Sequence, residues 1–291
     1  MAYNIDQFSK ITGINKLLLR TWENRYSFLK PERTETKIRI YSDELLVLAL
    51  NTKLLLDNGH KISKISKKNN KEIERLIVDI ASQSANIESK IDYYINQFIK
   101  SGIKFDTHLF NLTFKECSSK FSMIELYKKI MLPTFSKVGL FWLSNKMNPA
   151  QEHFLSEMFK QKIYHQIDCI QTKASKGNWL LFLPPNEYHE LGLLFSRFLL
   201  TYYGYSVIYL GSNVPYSSLN HISTSQSIKN LLFFSVSNFS KKNLDTTFEN
   251  LINYFPKCNI HIVSNVEKNN LLKNNKIKLI KNLDDFIKII S

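Results

Sequence analysis

Paired cysteines, long apolar runs and an apolar leader are all missing from this chain of 291 residues. Its three cysteines, Cys117, Cys169 and Cys258, lie far apart without a C-x-x-C pair, which argues against a disulfide framework or a zinc site. No apolar run reaches the roughly 18 residues that a membrane-spanning helix needs, and the N-terminus lacks a basic-then-apolar signal pattern. We therefore expect a protein of the reducing cytoplasm without a membrane partner.

Acidic residues are comparatively few. The chain carries 39 lysines and arginines against 25 aspartates and glutamates, a formal net charge of +14. Such an excess favours an anionic partner, although lysine is abundant throughout and much of the excess reflects overall composition. Charge therefore supports nucleic-acid binding without deciding it. Hydrophobic residues make up 44% of the chain, which is enough to build the cores of two or three domains.

Apolar spacing divides the chain into three expected domains at 1–75, 76–172 and 173–291. The first reads as a set of short helices, in which Gly13 makes a turn before a helix from Lys16 to Arg25. A polar hairpin tip follows at 34–37, and Ser42 begins a third helix by a capping pattern. The second domain shows helical spacing throughout and suits a four-helix bundle.

In the third domain, short apolar runs alternate with amphipathic helical stretches. We expect strands at 179–183, 206–210, 231–236, 260–263 and 277–280, and helices near 189–203, 241–254 and 282–290. This alternation predicts a doubly wound α/β domain with five parallel strands. Five strands fit the flavodoxin-like order, in which ligands sit beyond the carboxyl ends of the strands. The expected fold is thus an all-α winged helix-turn-helix, a helical bundle and an α/β domain.

The N-terminal motifs resemble the MerR-type winged helix-turn-helix. The resemblance rests on IDQFSKITGI (5–14), LRTWENRY (19–26), KPER (30–33) and RIY (39–41), in that order and spacing. It implies double-stranded DNA as partner, with the second helix in the major groove and the hairpin wing on the flanking phosphates. Many MerR-type regulators continue into a long dimerising helix, whereas here the chain enters the bundle. Any homodimer or homotetramer is therefore expected to form through the second half of the chain.

Seven residues are candidates for DNA contact. Guanidinium groups on the second helix suit guanine edges or phosphates, whereas basic groups on the wing suit phosphates. Tyrosine hydroxyls near both elements can add phosphate hydrogen bonds, and Trp22 is assigned to the core. The candidates are Arg20, Arg25, Tyr26, Arg33, Lys37, Arg39 and Tyr41. For any single arginine, a purely solvated surface role remains the alternative.

A second constellation consists of Trp142-x9-Glu152-His153 and Glu187-x-His189-x-x-Gly192. Placed on a helical bundle and on the loop after the first strand, these motifs resemble the cobalamin-binding module. Together with the N-terminal motifs, they make the whole chain similar to light-responsive regulators of the CarH/LitR type. The resemblance implies adenosylcobalamin or methylcobalamin as cofactor and a photoreceptor function.

The resemblance also implies residue roles. His189 would bind cobalt from below, Glu187 would hydrogen-bond the other ring nitrogen, and Gly192 would allow close approach of the corrin. On the upper face, Trp142 would cover the cobalt-bound group, Glu152 would bond ribose, and His153 is an alternative upper ligand. Gly211 and Ser235 would border the nucleotide tail.

The chain departs from the cobalamin pattern after the fourth strand. Related modules carry Gly-Gly there, where this chain has Ser264-Asn265, whose side chains narrow the slot for the tail. The leading interpretation is a corrinoid-responsive, DNA-binding transcriptional regulator without enzyme activity. One alternative is a MerR-type regulator whose second half no longer binds the cofactor and serves as an oligomerisation or partner platform. A less favoured alternative is a corrinoid methyl carrier.

Overall fold

The computed structural model of the protein describes residues 2–83, 86–143, 149–171, 176–236, 241–264 and 277–291. Two compact units are formed, Met1–Met158 and Phe159–Ser291. In the described ranges, no helix is both long and apolar enough to cross a membrane.

The first unit begins with four short helices whose ends follow local sequence signals. They are α1 (Ile5–Thr12), α2 (Lys16–Tyr26), α3 (Asp43–Asp57) and α4 (Ile62–Ile65). Asn4 and Gln7 form a reciprocal capping box at the start of α1. Gly13 ends that helix with φ 69°, a left-handed conformation that glycine adopts at low cost. Ser42 caps α3 by accepting from the amide of Leu45. The predicted helix-turn-helix is confirmed.

A small antiparallel sheet, which contains the predicted hairpin, accompanies the helices of this helical winged domain. Its strands are β1 (Ala2–Tyr3), β2 (Glu32–Arg33) and β3 (Arg39–Ser42), in the order β1-β3-β2. The amide of Thr34 donates to the carbonyl of Ile38 at the hairpin tip, and Lys37 has φ 62°. The hairpin between β2 and β3 is therefore as predicted. Strand β1 was not predicted because two residues are too short to show alternation.

The rest of the first unit is helical. It comprises α5 (Asn70–Gln83), α6 (Ile87–Lys104), α7 (Thr107–Ser118), α8 (Met123–Leu126), a π-helical turn (Tyr127–Met131), α9 (Leu132–Leu143) and α10 (Pro149–Asp168). Helix α6 packs against α7 and α9, while α3 packs on α6 and α1 on α9. The winged domain and the bundle therefore share contacts within one unit. The boundary between the two units falls within α10.

The second unit has the predicted doubly wound sheet. Its parallel strands are β4 (Asn178–Phe182), β5 (Ser206–Tyr209), β6 (Asn230–Ser235), β7 (Asn259–Ser264) and β8 (Ile277–Ile280), ordered β5-β4-β6-β7-β8. The helices are α11 (Glu190–Tyr202), α12 (Tyr216–Ser225), α13 (Lys241–Tyr254) and α14 (Leu283–Ile290). This is the flavodoxin-like order. Helix α12 was not predicted because it buries only one apolar side chain, Leu219.

Two loops extend the sheet beyond the carboxyl ends of β4 and β5. The amide of Leu183 donates to the carbonyl of Gly211, and the amide of Val214 donates to the carbonyl of Leu183. These bonds continue the pairing past the last strand residues. The loop after β4 is thus held at the edge where doubly wound domains bind their ligands.

Candidate functional site

The loop from β4 to α11 is fixed by its neighbour, the loop between β5 and α12. Asn186 and Asn213 both have left-handed backbones, with φ 65° and 55°. The amide of Asn186 donates to Oδ1 of Asn213 at 3.0 Å, and the amide of Asn213 donates to the carbonyl of Glu187 at 3.2 Å. Asparagine tolerates this conformation better than most residues. The positions of Glu187 and His189 are therefore set by backbone bonds.

Glu187 is a fully buried acidic side chain surrounded by N–H groups. Its Oε1 accepts from the amides of Tyr188 and His189, at 3.0 and 3.1 Å. Its Oε2 accepts from the amide of Val236, just after β6, at 2.9 Å. A buried charge is stable only when it is hydrogen-bonded in this way. The carboxylate therefore joins the loop after β4 to the end of β6.

His189 lies directly against this carboxylate. Its Nδ1 is 2.6 Å from Oε1 of Glu187, and 68% of its side chain is exposed. An ionised carboxylate can only accept, so Nδ1 carries the proton. In the neutral ring, Nε2 is then the nitrogen with the lone pair, and the anion beside Nδ1 increases its basicity. The pair presents the carboxylate–imidazole arrangement that orients histidine ligands of metals.

Ser235, at the end of β6, leaves a polar atom unsatisfied. Its side chain is 2% exposed and its Oγ has no hydrogen-bond partner among the described residues. Its carbonyl accepts from the hydroxyl of Ser264 at 2.9 Å. A buried hydroxyl without a partner is unfavourable, and a polar group of a ligand can relieve it. Asn265, the other residue at the expected Gly-Gly position, lies outside the described residues.

Two glycines mark close approaches. A Cβ on Gly192 in α11 would lie 2.6 Å from Cε1 of Phe234. Packing of α11 on β6 therefore requires glycine at this position, and the predicted approach of a corrin to Gly192 stays a prediction. At Gly211, φ is 75° and a Cβ would lie 2.9 Å from Oε1 of Glu190.

The outer face of α2 carries the predicted groove-reading residues. Arg20 and Arg25 are both exposed on this helix, and the Arg25 guanidinium lies 5.5 Å from the centre of the Tyr26 ring. Trp22 is buried, as predicted. Lys37 is exposed at the hairpin tip. These groups form a basic surface of the kind that binds DNA phosphates.

Sequence reasoning missed Glu23, which ties the wing to α2. Its Oε1 accepts from Arg33 at 2.7 Å and its Oε2 accepts from Arg39 at 2.6 Å. Burial acts to raise the pKa of Glu23, but the hydrogen bonds from Arg39 and Arg33 outweigh it and lower the pKa below its usual value. Both arginines are therefore held by an intramolecular partner.

Tyr41 corrects another expectation. It is fully buried and stacks on Phe8, with ring centres 4.1 Å apart. Its hydroxyl is enclosed and has no hydrogen-bond partner within the described ranges. This placement leaves no route to a phosphate, so Tyr41 belongs to the core that supports the wing.

Family comparison agrees with both halves of this description. The profile of the MerR HTH family regulatory protein matches residues 3–71, and that of the B12 binding domain matches residues 94–166. The HTH-type transcriptional repressor CarH of Myxococcus xanthus is 26% identical over 220 residues, 75% of this chain and 73% of that protein. The repressor CarA of the same organism is 22% identical over 221 residues, 75% of this chain and 71% of that protein.

The chain thus carries a MerR-type helix-turn-helix domain followed by a B12-binding domain. Its fold is similar to that of a solved structure, the monomethylamine corrinoid protein of Methanosarcina barkeri. The TM-score is 0.51 at 11% identity, and the match covers 67% of this chain and 94% of that protein. At this identity the likeness concerns the fold alone.

The three remaining predicted residues of the module lie on the helical bundle. Glu152 and His153 lie near the start of α10, with His153 Nδ1 3.7 Å from Glu152 Oε2. The His153 side chain is 73% exposed. Trp142 is the second-last residue of α9, and its side chain lies outside what the structure describes. Glu152 and His153 are neighbours in the sequence, so their closeness follows from the chain itself and not from the fold.

A polar cluster beside the His189 loop was not predicted from the sequence. Glu190 accepts from the Tyr209 hydroxyl at 2.9 Å and pairs with Lys160 at 3.2 Å. Arg197 lies 5.3 and 5.9 Å from the ring centres of Tyr209 and Tyr164. Burial, and then the Glu190 carboxylate, raise the pKa of Tyr209. No sequence signal marks this cluster, because its members are far apart along the chain.

Proposed function

We propose that this chain is a transcriptional regulator whose affinity for double-stranded DNA depends on a corrinoid held against His189. The observation that carries the proposal is the buried Glu187 carboxylate bonded to Nδ1 of a mostly exposed imidazole. This arrangement lies at the carboxyl ends of parallel strands, where doubly wound domains bind their ligands. It leaves Nε2 as the basic ring nitrogen for a metal ion.

The residues of the second unit have separable tasks toward the cofactor. Nε2 of His189 would be the lower ligand of cobalt, and Glu187 would hold the tautomer and the ring orientation. The unsatisfied Ser235 hydroxyl suits a polar group of the displaced nucleotide tail. Gly211 keeps the neighbouring loop free of a side chain. A bound alkylcobalamin would supply a light-sensitive carbon–cobalt bond.

The upper-face roles are carried over from the sequence motif. Trp142 would cover the cobalt-bound group, Glu152 would hydrogen-bond ribose, and His153 would be available as an alternative upper ligand. The ribose contact favours adenosylcobalamin over methylcobalamin.

The regulatory half acts through α2 and the hairpin. Arg20, Arg25 and Tyr26 would lie at the major groove, and Lys37 would contact flanking phosphates. Arg33 and Arg39 are held by Glu23, so their role includes fixing the wing angle. Homodimers or homotetramers would multiply weak half-site contacts through effective concentration. A corrinoid changes DNA affinity only if it binds the assembled and dissociated states unequally.

The test is a titration of the purified full-length chain with adenosylcobalamin in the dark, followed by absorbance after desalting. The cobalamin spectrum should be retained after desalting by the wild type and by His221→Ala, an exposed-histidine control on α12. His189→Ala should lose the cofactor while keeping its far-ultraviolet circular dichroism. Retention by His189→Ala with wild-type affinity would contradict the axial-ligand role.

A second candidate function keeps DNA binding and discards the cofactor. It is favoured by Ser264, whose hydroxyl occupies the end of β7 and bonds the Ser235 carbonyl, where related modules have glycine. The second half would then serve as an oligomerisation or partner platform. DNA binding by the chain that is equal with and without adenosylcobalamin, together with no retained colour, would support this alternative.

A further inference from the structure

Helix α2 exposes a leucine to solvent at a position where a polar side chain would be equally compatible with the fold. Leu17 lies in the first turn of α2 and is 70% exposed, more than any other large hydrophobic side chain in the described ranges. Its amide donates to Oδ1 of Asn15, the helix cap, so its backbone is fixed. Its side chain thus projects from an ordered turn.

Helical spacing places Leu17 on one stripe with Arg20, Thr21 and Asn24, at positions i, i+3, i+4 and i+7. All four are exposed, whereas Leu19 and Trp22 on the opposite side are buried in the core. The Thr21 hydroxyl bonds back to the carbonyl of Leu17 at 2.8 Å, which holds it along the helix. The stripe is the outward face of the helix that follows the turn of a helix-turn-helix motif.

The chemistry of the stripe restricts what Leu17 can recognise. The N-terminal residues of a recognition helix are the ones that approach base edges in the major groove. A leucine cannot hydrogen-bond a phosphate or a base edge. The apolar feature that a base pair offers in that groove is the C5-methyl group of thymine. Basic groups on the same helix, Arg20 and Arg25, match the charge of DNA and disfavour a buried protein partner.

We infer that Leu17 is a specificity-determining residue that contacts the C5-methyl group of a thymine in the DNA target. The inference rests on the proposed DNA-binding function and adds a base preference to it. Arg20 and Asn24 on the same stripe can bond guanine and adenine edges, respectively. Leu17 supplies the methyl contact that hydrogen bonds cannot supply.

The experiment compares two forms of one DNA sequence. Duplexes that bind the full-length chain are selected from a random library, and the tightest is remade with deoxyuridine in place of every thymidine. This removes only the C5-methyl groups and keeps base pairing. Dissociation constants are measured for the wild type, Leu17→Ala and Leu17→Met, with Leu112→Ala as control. Leu112 is 53% exposed on α7, away from the α2 stripe.

Wild type and Leu112→Ala should bind the deoxyuridine duplex about fourfold more weakly than the thymidine duplex, the factor expected from burying one methyl-sized group. Leu17→Met should keep most of this ratio, and Leu17→Ala should reduce it to about one. An equal ratio in wild type and Leu17→Ala overturns the inference, because another residue then reads the methyl group. A ratio of one in the wild type overturns it as well.

Failure of the proposed function looks different. If the wild type selects no sequence and binds no duplex at low salt, DNA binding itself is wrong and the assignment of Leu17 falls with it. If the wild type binds a selected duplex and the methyl ratio does not respond to Leu17, only the role of Leu17 is wrong. Circular dichroism of each variant verifies that the exposed-site substitutions leave the fold intact.

Discussion

Oε1 of Glu187 lies 2.6 Å from Nδ1 of His189. The Glu187 carboxylate is fully buried, whereas the His189 imidazole is 68% exposed. The buried partner therefore controls the proton position of the exposed one. The same carboxylate accepts from the amide of Val236, so the orientation of His189 is coupled to the end of β6.

Glu187→Gln should lower corrinoid affinity by about 10-fold to 100-fold, the usual effect of losing the partner of a metal-binding histidine. A neutral amide no longer favours protonation at Nδ1. The measurement is a spectral titration with hydroxocobalamin, and Glu249→Gln on the exposed side of α13 is the control. Wild-type affinity in Glu187→Gln would show that the carboxylate does not orient the ligand.

Gly192→Ala should destabilise the second unit by about 1–3 kcal/mol, because the new Cβ would lie 2.6 Å from the Phe234 ring. Urea unfolding provides the measurement. Phe234→Leu in the same chain should restore part of the loss. Gly139→Ala in α9 is the matched control, since a Cβ there meets nothing within 4 Å. An unchanged midpoint for Gly192→Ala would mean that the helix and strand separate easily.

Glu23→Ala should reduce the preference for a selected duplex over a scrambled one by about tenfold, roughly 1.4 kcal/mol. It frees Arg33 and Arg39, so non-specific affinity should hold or rise while the wing loses its fixed angle. Glu32→Ala on β2 makes the same charge change without breaking the pair. An equal fall in affinity for both duplexes would show that Glu23 stabilises the fold without contributing to sequence preference.

The same contact has a defined pH dependence. Because the pKa of Glu23 is lowered, its stabilising contribution is present above the pKa of the unfolded chain. That contribution is lost only as pH falls through the lower folded-state value. The preference for the selected duplex should therefore be insensitive to Glu23 titration at neutral pH.

His261→Phe should weaken the dependence of the free energy of unfolding on pH in the acid range. His261 is 1% exposed beside Trp179, neither ring nitrogen has a hydrogen-bond partner within the described ranges, and burial, with Lys278, lowers its pKa to about 4. Between that pKa and about 6.5, the histidine is protonated in the unfolded chain but neutral in the folded chain. The free energy of unfolding therefore decreases as the pH is lowered through this window. From pH 7 to 5 the loss is about 2 kcal/mol.

The measurement is urea unfolding at both pH values, with His221→Gln as control. The control should lose stability like the wild type, whereas His261→Phe should lose about 2 kcal/mol less. An equal loss in all three proteins would show that His261 is protonated in the folded state or reaches water.

Tyr41→Phe should leave DNA binding unchanged and raise stability by up to about 1 kcal/mol, since it removes a buried hydroxyl without a partner. Tyr26→Phe, on the DNA-facing helix, should instead weaken binding. The measurements are thermal unfolding and duplex affinity for both variants. Loss of DNA affinity in Tyr41→Phe would return that hydroxyl to the binding surface.

Local signals made much of the fold predictable. The caps at Asn4 and Ser42 and the turn at Gly13 act within a few residues, so sequence alone locates α1 and α3. The strands of the second unit are predominantly apolar because both faces of a parallel sheet are covered. Their order follows from the right-handed crossover rule and the usual flavodoxin-like arrangement.

Relationships between distant residues were not predictable. Glu23 carries no signal that it pairs with Arg33 and Arg39, because that pairing depends on how the wing folds back on α2. Tyr41 and Ile40 are both apolar enough to face inward, so the register of β3 decides which side chain is buried. The close approach of Gly192 to the Phe234 ring depends on how α11 packs on β6, which the sequence does not reveal.

The most direct test of the central claim is the electron paramagnetic resonance spectrum of the full-length chain loaded with cob(II)alamin, with every histidine labelled with nitrogen-15. If Nε2 of His189 is the lower ligand, each cobalt line should split into a doublet, and His189→Ala should abolish the doublet. A triplet from the unlabelled base of the cofactor would contradict the account, because cobalt would then keep its own ligand.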